Sequence, residues 1–221
     1  MMRSVAQLFA CRLMNLYARF VAMIRELLRE HTQASHQRLE HKLDLLKIVD
    51  LNTYSRVVAR FYGFVEPLEA ELSRVSAKHS MVGVLFQDER LSFAERMKTQ
   101  WLKADLDYLS RRLGASCKAL EKAPHSALPC FRSPASVLGC LYVMEGSTLG
   151  GQFLSAHFEK SLGLNSEAGL SYFSGYGAQT GKMWRSFLSF LEEHAQRYPE
   201  WTDEILSSAN ETFEKMENWL T

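Results

Sequence analysis

Two stretches of this chain concentrate the residue types that could do chemistry. The first, residues 27–41, reads LLREHTQASHQRLEH and carries His31, His36 and His41. On a helix a step of five residues turns about 140°, so the three imidazoles point to different faces and cannot share one metal ion. Neither an HExxH pair nor an ExxH motif occurs in the chain, which removes two-histidine zinc and carboxylate-bridged diiron sites. One imidazole as the single axial ligand of a haem stays open. His36 lies beside the apolar stripe, with Thr32 one turn before it and Glu40 one turn after it on the same face. A carboxylate near the second ring nitrogen would fix the tautomer and raise ligand basicity. A histidine at the rim of a core accounts for the same residues and is the commoner situation.

The second stretch, residues 141–152, reads LYVMEGSTLGGQ. Gly146, Gly150 and Gly151 interrupt an otherwise good helix former, and each costs about 1 kcal/mol relative to alanine there. Gly146 and Gly150 share a face and bare a strip of backbone, where something flat or bulky can approach closely or the helix can bend. Close helix packing through small residues is the alternative. No GK[ST] follows the glycines and no strand precedes them, so a phosphate loop is excluded.

The elements that must carry these stretches all read as helices. Apolar spacing predicts helices over about 24–41 and from Asn52 or Thr53 onward, the latter with Pro67 as a kink point. Ser92-Phe-Ala-Glu95 has the form of a capping box opening a helix that ends at Gly114. Ser133-Pro134 starts a helix that ends at Gly163. Two more run over about 180–197 and 202–220, split by Pro199. Period-two alternation, repeats and low-complexity segments are absent. The expected fold is a single all-α domain over 24–221.

Residues 1–23 differ. Arg3, Arg12 and Arg19 stand there without an acid, and Glu26 is the first carboxylate. A presequence or a surface-binding helix fits this pattern, but the expectation is an extension the domain can do without. Composition narrows the rest. A formal net charge of +1 gives no basic field for nucleic acid. The four cysteines include no CxxC pair, and their irregular spacing suits free thiols in a reducing compartment. No apolar run is long enough to span a membrane.

Taken together, LREHTQASHQRLE and YVMEGSTLGGQ, in that order and at that separation, resemble the haem oxygenase family, especially the bacterial enzymes found beside bacteriophytochromes. Tyr54 to Glu69, Gly175-Tyr176-Gly177 and Met183-Trp184-Arg185 resemble its other helices, so the likeness covers roughly residues 25–200. The resemblance implies a haem oxygenase-like helical bundle in which haem b is both cofactor and substrate. With O2 and an external electron donor, haem would be cleaved to biliverdin, CO and iron. His36 would be the iron's axial ligand, supported by Glu40. Gly146 and Gly150 would lie over the haem face, with Gly151 beside them. Arg29, Tyr142, Lys182 and Arg185 would meet the propionates.

One departure touches proton delivery. Some family members carry an aspartate just after the first distal glycine and an arginine three residues before it. Here those positions are Ser147 and Val143. Ser147 can still donate and accept a hydrogen bond, and Tyr62 is expected to join it. Glu145 is expected to be structural, since helical geometry turns it about 100° from Gly146. Of the remaining histidines, His31 is the rival ligand. No flavin or nicotinamide motif occurs, so a ferredoxin or reductase is the expected partner, with a bacteriophytochrome as a candidate recipient of biliverdin and the cytoplasm as the location. Three rivals stand beside this reading. One is a haem carrier that never turns over. Another is a thiaminase-like hydrolase with Cys140 as nucleophile. The third is a structural interaction module.

Overall fold

In the computed structural model, the backbone is described for residues 5–114 and 121–221, and side chains from residue 24 onward outside 115–120. Eight α-helices follow in order: α1 Val5–Leu43, α2 Leu51–Lys78, α3 Ser80–Gln87, α4 Thr99–Leu113, α5 Pro134–Leu162, α6 Ser171–Ser174, α7 Thr180–Arg197 and α8 Thr202–Leu220. No strand is formed among the described residues, which bears out the all-α expectation. No helix there is long and apolar enough to cross a membrane.

The first half of α5 is buried on every side, from Ala135 through Glu145 apart from half-buried Tyr142. That is the signature of a central helix. It packs along α8 and, farther on, against α6 and α7. Beyond Gly146 only one face of the helix stays in the core, through Thr148, Gly151, Ser155 and Phe158, while Ser147, Leu149, Gly150, Gln152 and Phe153 are exposed. α1 packs chiefly on α8 and α7.

The caps at Ser133, Gly114 and Gly163 form as the sequence predicts. Ser133 accepts from Ser136 N–H, and both glycines adopt φ of 63°. Two expectations are corrected. α2 is capped by Asp50, whose Oδ1 accepts from Thr53 N–H at 2.9 Å, rather than by Asn52 or Thr53. The Ser92–Glu95 capping box does not form. Ser92 has φ of 45°, and its hydroxyl turns back to Glu89 O. α4 starts only at Thr99, where the Glu69 carboxylate of α2 accepts from Lys98 N–H at 2.5 Å and from the Thr99 hydroxyl at 2.6 Å. A cap supplied by another helix displaced the local one.

Pro67 sits inside α2 without ending it. Lacking an N–H, it leaves the carbonyl of Gly63 without its helical donor. Ala123 N–H supplies one at 2.8 Å. A Cβ on Gly63 would lie 2.5 Å from Glu121 O, so only glycine lets the 121–123 segment seat there.

Candidate functional site

α1 is held in place by polar contacts on one flank. Ser35 donates to Asn210 Oδ1 at 3.0 Å, Lys42 pairs with Glu217 at 2.5 Å, and Arg25 pairs with Glu192. These contacts leave His36 facing outward, its side chain 51% exposed. Its ring stands edge-on to Phe213 of α8 at 5.5 Å between centroids. Nε2 lies 3.5 Å from Glu40 Oε1, which leaves the other ring nitrogen without a protein partner in the described contacts. In this rotamer Glu40 orients the ring through Nε2, and Nδ1 is the nitrogen left open.

The facing wall comes from α5. Tyr142, Gly146, Gly150, Phe153 and His157 fall within about 40° of Gly146 on a helical wheel. Two of them touch α1 or the residues that follow it. The Tyr142 hydroxyl lies near Thr32. His157 Nε2 lies 3.4 Å from Ile48 O. Between these two contacts α5 is uncovered at Gly150, where an added Cβ would meet nothing within 4 Å, and the space between the two helices is the candidate slot. On one side is His36. On the other are the bare backbone of Gly146 and Gly150 and two exposed apolar side chains, Phe153 at 68% and Leu149 at 40% exposure.

The Tyr142 end of the slot is electropositive. Burial raises the phenol's pKa, while Thr32 and the nearby Arg29 guanidinium pull it down. The Tyr142 ring packs on Trp184 at 5.6 Å, and Trp184 also lies 3.7 Å from where a Gly146 Cβ would stand. Lys182 and Arg185, on either side of Trp184 in the chain, are exposed. Exposed Arg29 is close enough to act on the Tyr142 phenol and is available to anionic groups at this edge, whereas no described contact places Lys182 or Arg185 beside Tyr142.

Two expected members, Tyr62 and Gly151, stand elsewhere, and a third, Ser147, is partly engaged. Tyr62 lies beside Lys122, on the part of α2 that receives the 121–123 segment, and not with Gly146. Gly151 is buried, and its absent Cβ would lie 2.9 Å from Phe173 O, so it serves packing against α6. Ser147 is exposed, but its hydroxyl donates to Met144 O at 2.9 Å, which leaves its lone pairs as the open hydrogen-bonding capacity. Phe153, Leu149, Trp184 and Phe213 belong to the slot and had no distinguishing signal in the sequence, where each reads as an ordinary core residue.

Cys140 is wholly buried, and burial pushes its thiol up to about 12. A thiol in that state is no nucleophile at neutral pH. Alkylation mapped by mass spectrometry is expected to label exposed Cys130 in the native protein and Cys140 only after denaturation. Labelling of native Cys140 would restore the hydrolase reading.

The slot suits haem in several respects. It has an outward imidazole with a carboxylate behind it, an apolar facing wall left open at Gly150, and a guanidinium with a phenol at one edge. Among the described residues no group of histidine, cysteine and carboxylate side chains could hold a bare metal ion. Gly150→Ala tests the fit. It is expected to leave the fold intact or raise stability by up to about 1 kcal/mol, because the added methyl meets nothing in the protein, yet to weaken hemin binding at least threefold in an absorbance titration.

The family model described as "Heme oxygenase" matches residues 22–221. Among solved structures, the chain is similar to the haem oxygenase of Neisseria meningitidis solved with NO and CO bound, at 22% identity over 89% of both chains and a TM-score of 0.69. It is also similar to haem oxygenase 2 of Chlamydomonas reinhardtii solved without haem, at 20% identity over 89% of this chain and 95% of that one, TM-score 0.72. The haem oxygenase of Leptospira interrogans matches at 19% identity over 89% and 98%, TM-score 0.64. No curated protein sequence matches at a significant level. With the family model covering all of the chain from residue 22 onward and the solved structures sharing its all-helical fold, the chain belongs to the haem oxygenase family.

Proposed function

We propose that this haem oxygenase holds its substrate in the slot between α1 and α5, where His36 would supply the imidazole that binds the iron. The observation that carries the assignment is His36, half-open on α1, opposite the bare Gly146–Gly150 backbone and the exposed Phe153 of α5. Bound haem, with O2 and electrons, supplies the chemistry that opens the ring at a meso carbon and yields biliverdin, CO and iron. The chain's own residues bind and orient. Glu40 keeps the imidazole in one tautomer and makes it a stronger base. Arg29, Lys182, Arg185 and Tyr142 would hold the anionic groups of the bound haem and so orient it. Phe153 and Leu149 cover an apolar face and exclude water. Gly146 and Gly150 would let the bound group approach the α5 backbone and would place no acidic side chain beside it. Ser147's open lone pairs accept a hydrogen bond from water at the slot's edge.

The sequence carries no flavin or nicotinamide motif, so electrons come from a separate ferredoxin or reductase. A bacteriophytochrome is a fitting consumer of the biliverdin, and the free thiols suit a cytoplasmic location. A hemin titration followed by reductant in air, read by absorbance, tests the assignment. A stoichiometric Soret band decaying to a bilin spectrum is expected. A stable Soret band with a competent ferredoxin system would make the protein a haem carrier instead.

A further inference from the structure

Glu145 directly precedes Gly146 and is completely buried. Its carboxylate pairs with Arg96, accepts from Lys98 Nζ at 2.6 Å and accepts from the Tyr176 hydroxyl at 2.9 and 3.0 Å. Arg96 and Lys98 are buried as well. Arg96 also donates to Leu91 O and to Met183 O, the residue before Trp184, and Lys98 donates to Arg96 O at 2.9 Å. A cavity of about 10 Å³, no larger than one water, adjoins the cluster beside Arg96, Lys98 and Glu145. Burial and the neighbouring carboxylate both raise the Tyr176 pKa, so its phenol is a hydrogen-bond donor at any working pH.

Buried ion clusters of this kind rarely outperform apolar packing for stability. What this one does is join α5, the turn at 91–98, the residue between α6 and α7, and α7 at the point where α5 turns into its weakest stretch. From Gly146 on, the helix carries three glycines, and Ser147 and Thr148 both donate back to carbonyls three residues earlier, a pattern that bends helices. The stretch is bounded on its far side by Gly151 seated on Phe173 O.

We propose that Glu145 is a positioning residue of the haem oxygenase reaction: through Arg96, Lys98 and Tyr176 it fixes the near end of the glycine stretch and, by way of Met183, seats Trp184 against Gly146. It does not touch the substrate. Its carboxylate points away from the slot and is fully engaged as an acceptor. The inference rests on the slot assignment above for its effect on turnover, but its structural half is independent of haem.

The test is Glu145→Gln, which keeps size and loses charge. In the apo protein, hydrogen exchange is expected to quicken at least tenfold at amides 146–151 while α8 amides keep their wild-type rates. With hemin bound, affinity is expected to stay within threefold of wild type while the bilin formed per electron consumed falls at least fivefold. Glu145→Asp is expected to recover part of both. Where Glu145→Gln does not fold, Tyr176→Phe removes one contact of the cluster and is expected to speed exchange at 146–151 about threefold. Exchange that is unchanged, or that quickens equally in α8, overturns the proposal. Wild-type protein that binds no hemin would sink the slot assignment and leave the exchange result to be judged by itself.

Discussion

His36→Ala is expected to abolish the native haem complex and lower bilin formation at least a hundredfold while leaving the apo protein folded. The two halves of this outcome have separate causes. His36 contributes little to the fold. Its ring is half-exposed and touches only Phe213 edge-on and Glu40 at 3.5 Å, and Glu40 is itself largely exposed. Loss of such contacts costs roughly 1 kcal/mol or less. The imidazole is nonetheless the ligating group that α1 presents to the slot among its described side chains. The neighbouring imidazole at His31 is turned about 140° from it and cannot substitute. Absorbance titration with hemin and thermal denaturation of the apo protein check the two halves. Free imidazole added to the variant is expected to fill the vacated position and restore part of the Soret band. His31→Ala serves as the control and is expected to behave as wild type. A normal Soret band and normal turnover in His36→Ala would show that the ligand lies elsewhere.

Gly139→Ala is expected to destabilise the protein by about 3 kcal/mol, which at this chain length lowers the melting temperature by roughly 6–12 °C. A Cβ on Gly139 would lie 2.4 Å from Ile205 O and 2.9 Å from Ala209 N. Both atoms belong to the backbone of α8 and cannot rotate away. Ser208 beside them donates to Ser136 O at 2.7 Å, which locks the same crossing. The helices would have to separate, and the roughly 1 kcal/mol that alanine gains in helix propensity offsets only part of that cost. The effect reaches the slot, because α8 also carries Phe213, Asn210 and Glu217, which seat α1 and with it His36. Hemin affinity is therefore expected to fall along with stability. A melting temperature within about 2 °C of wild type would mean that the α5–α8 crossing yields more easily than its geometry implies.

Gly139 and Gly150 show where sequence reading stops. Both are glycines in the same helix, one in each half. The sequence singles out residues 146–151 because three glycines cluster there, and passes over Gly139 as an isolated one. In the structure Gly139 is the most tightly enclosed glycine of α5, Gly151 is committed to α6, and Gly150 meets nothing. The difference is what lies opposite each position, which is set by residues some 20 to 70 places away in the chain. The same reason explains α4. Its start has a local capping box in the sequence, yet the carboxylate that caps it is Glu69 of another helix.

The sequence by itself determined that the fold is all-helical, where most helices stop, and that His36 and the Gly146–Gly150 strip are the residues with chemical promise. These follow from periodicity, from glycine at positive φ and from local hydrogen bonds, all of which act within a few turns of chain. Tertiary structure decided the rest. It separated Tyr62 from the slot, brought Phe153, Trp184 and Phe213 into it, and buried Cys140 beyond use. It also gathered Arg96, Lys98 and Tyr176 around Glu145. Burial and charge pairing depend on which helix faces which, and that arrangement is reached only when all eight helices satisfy their apolar faces together.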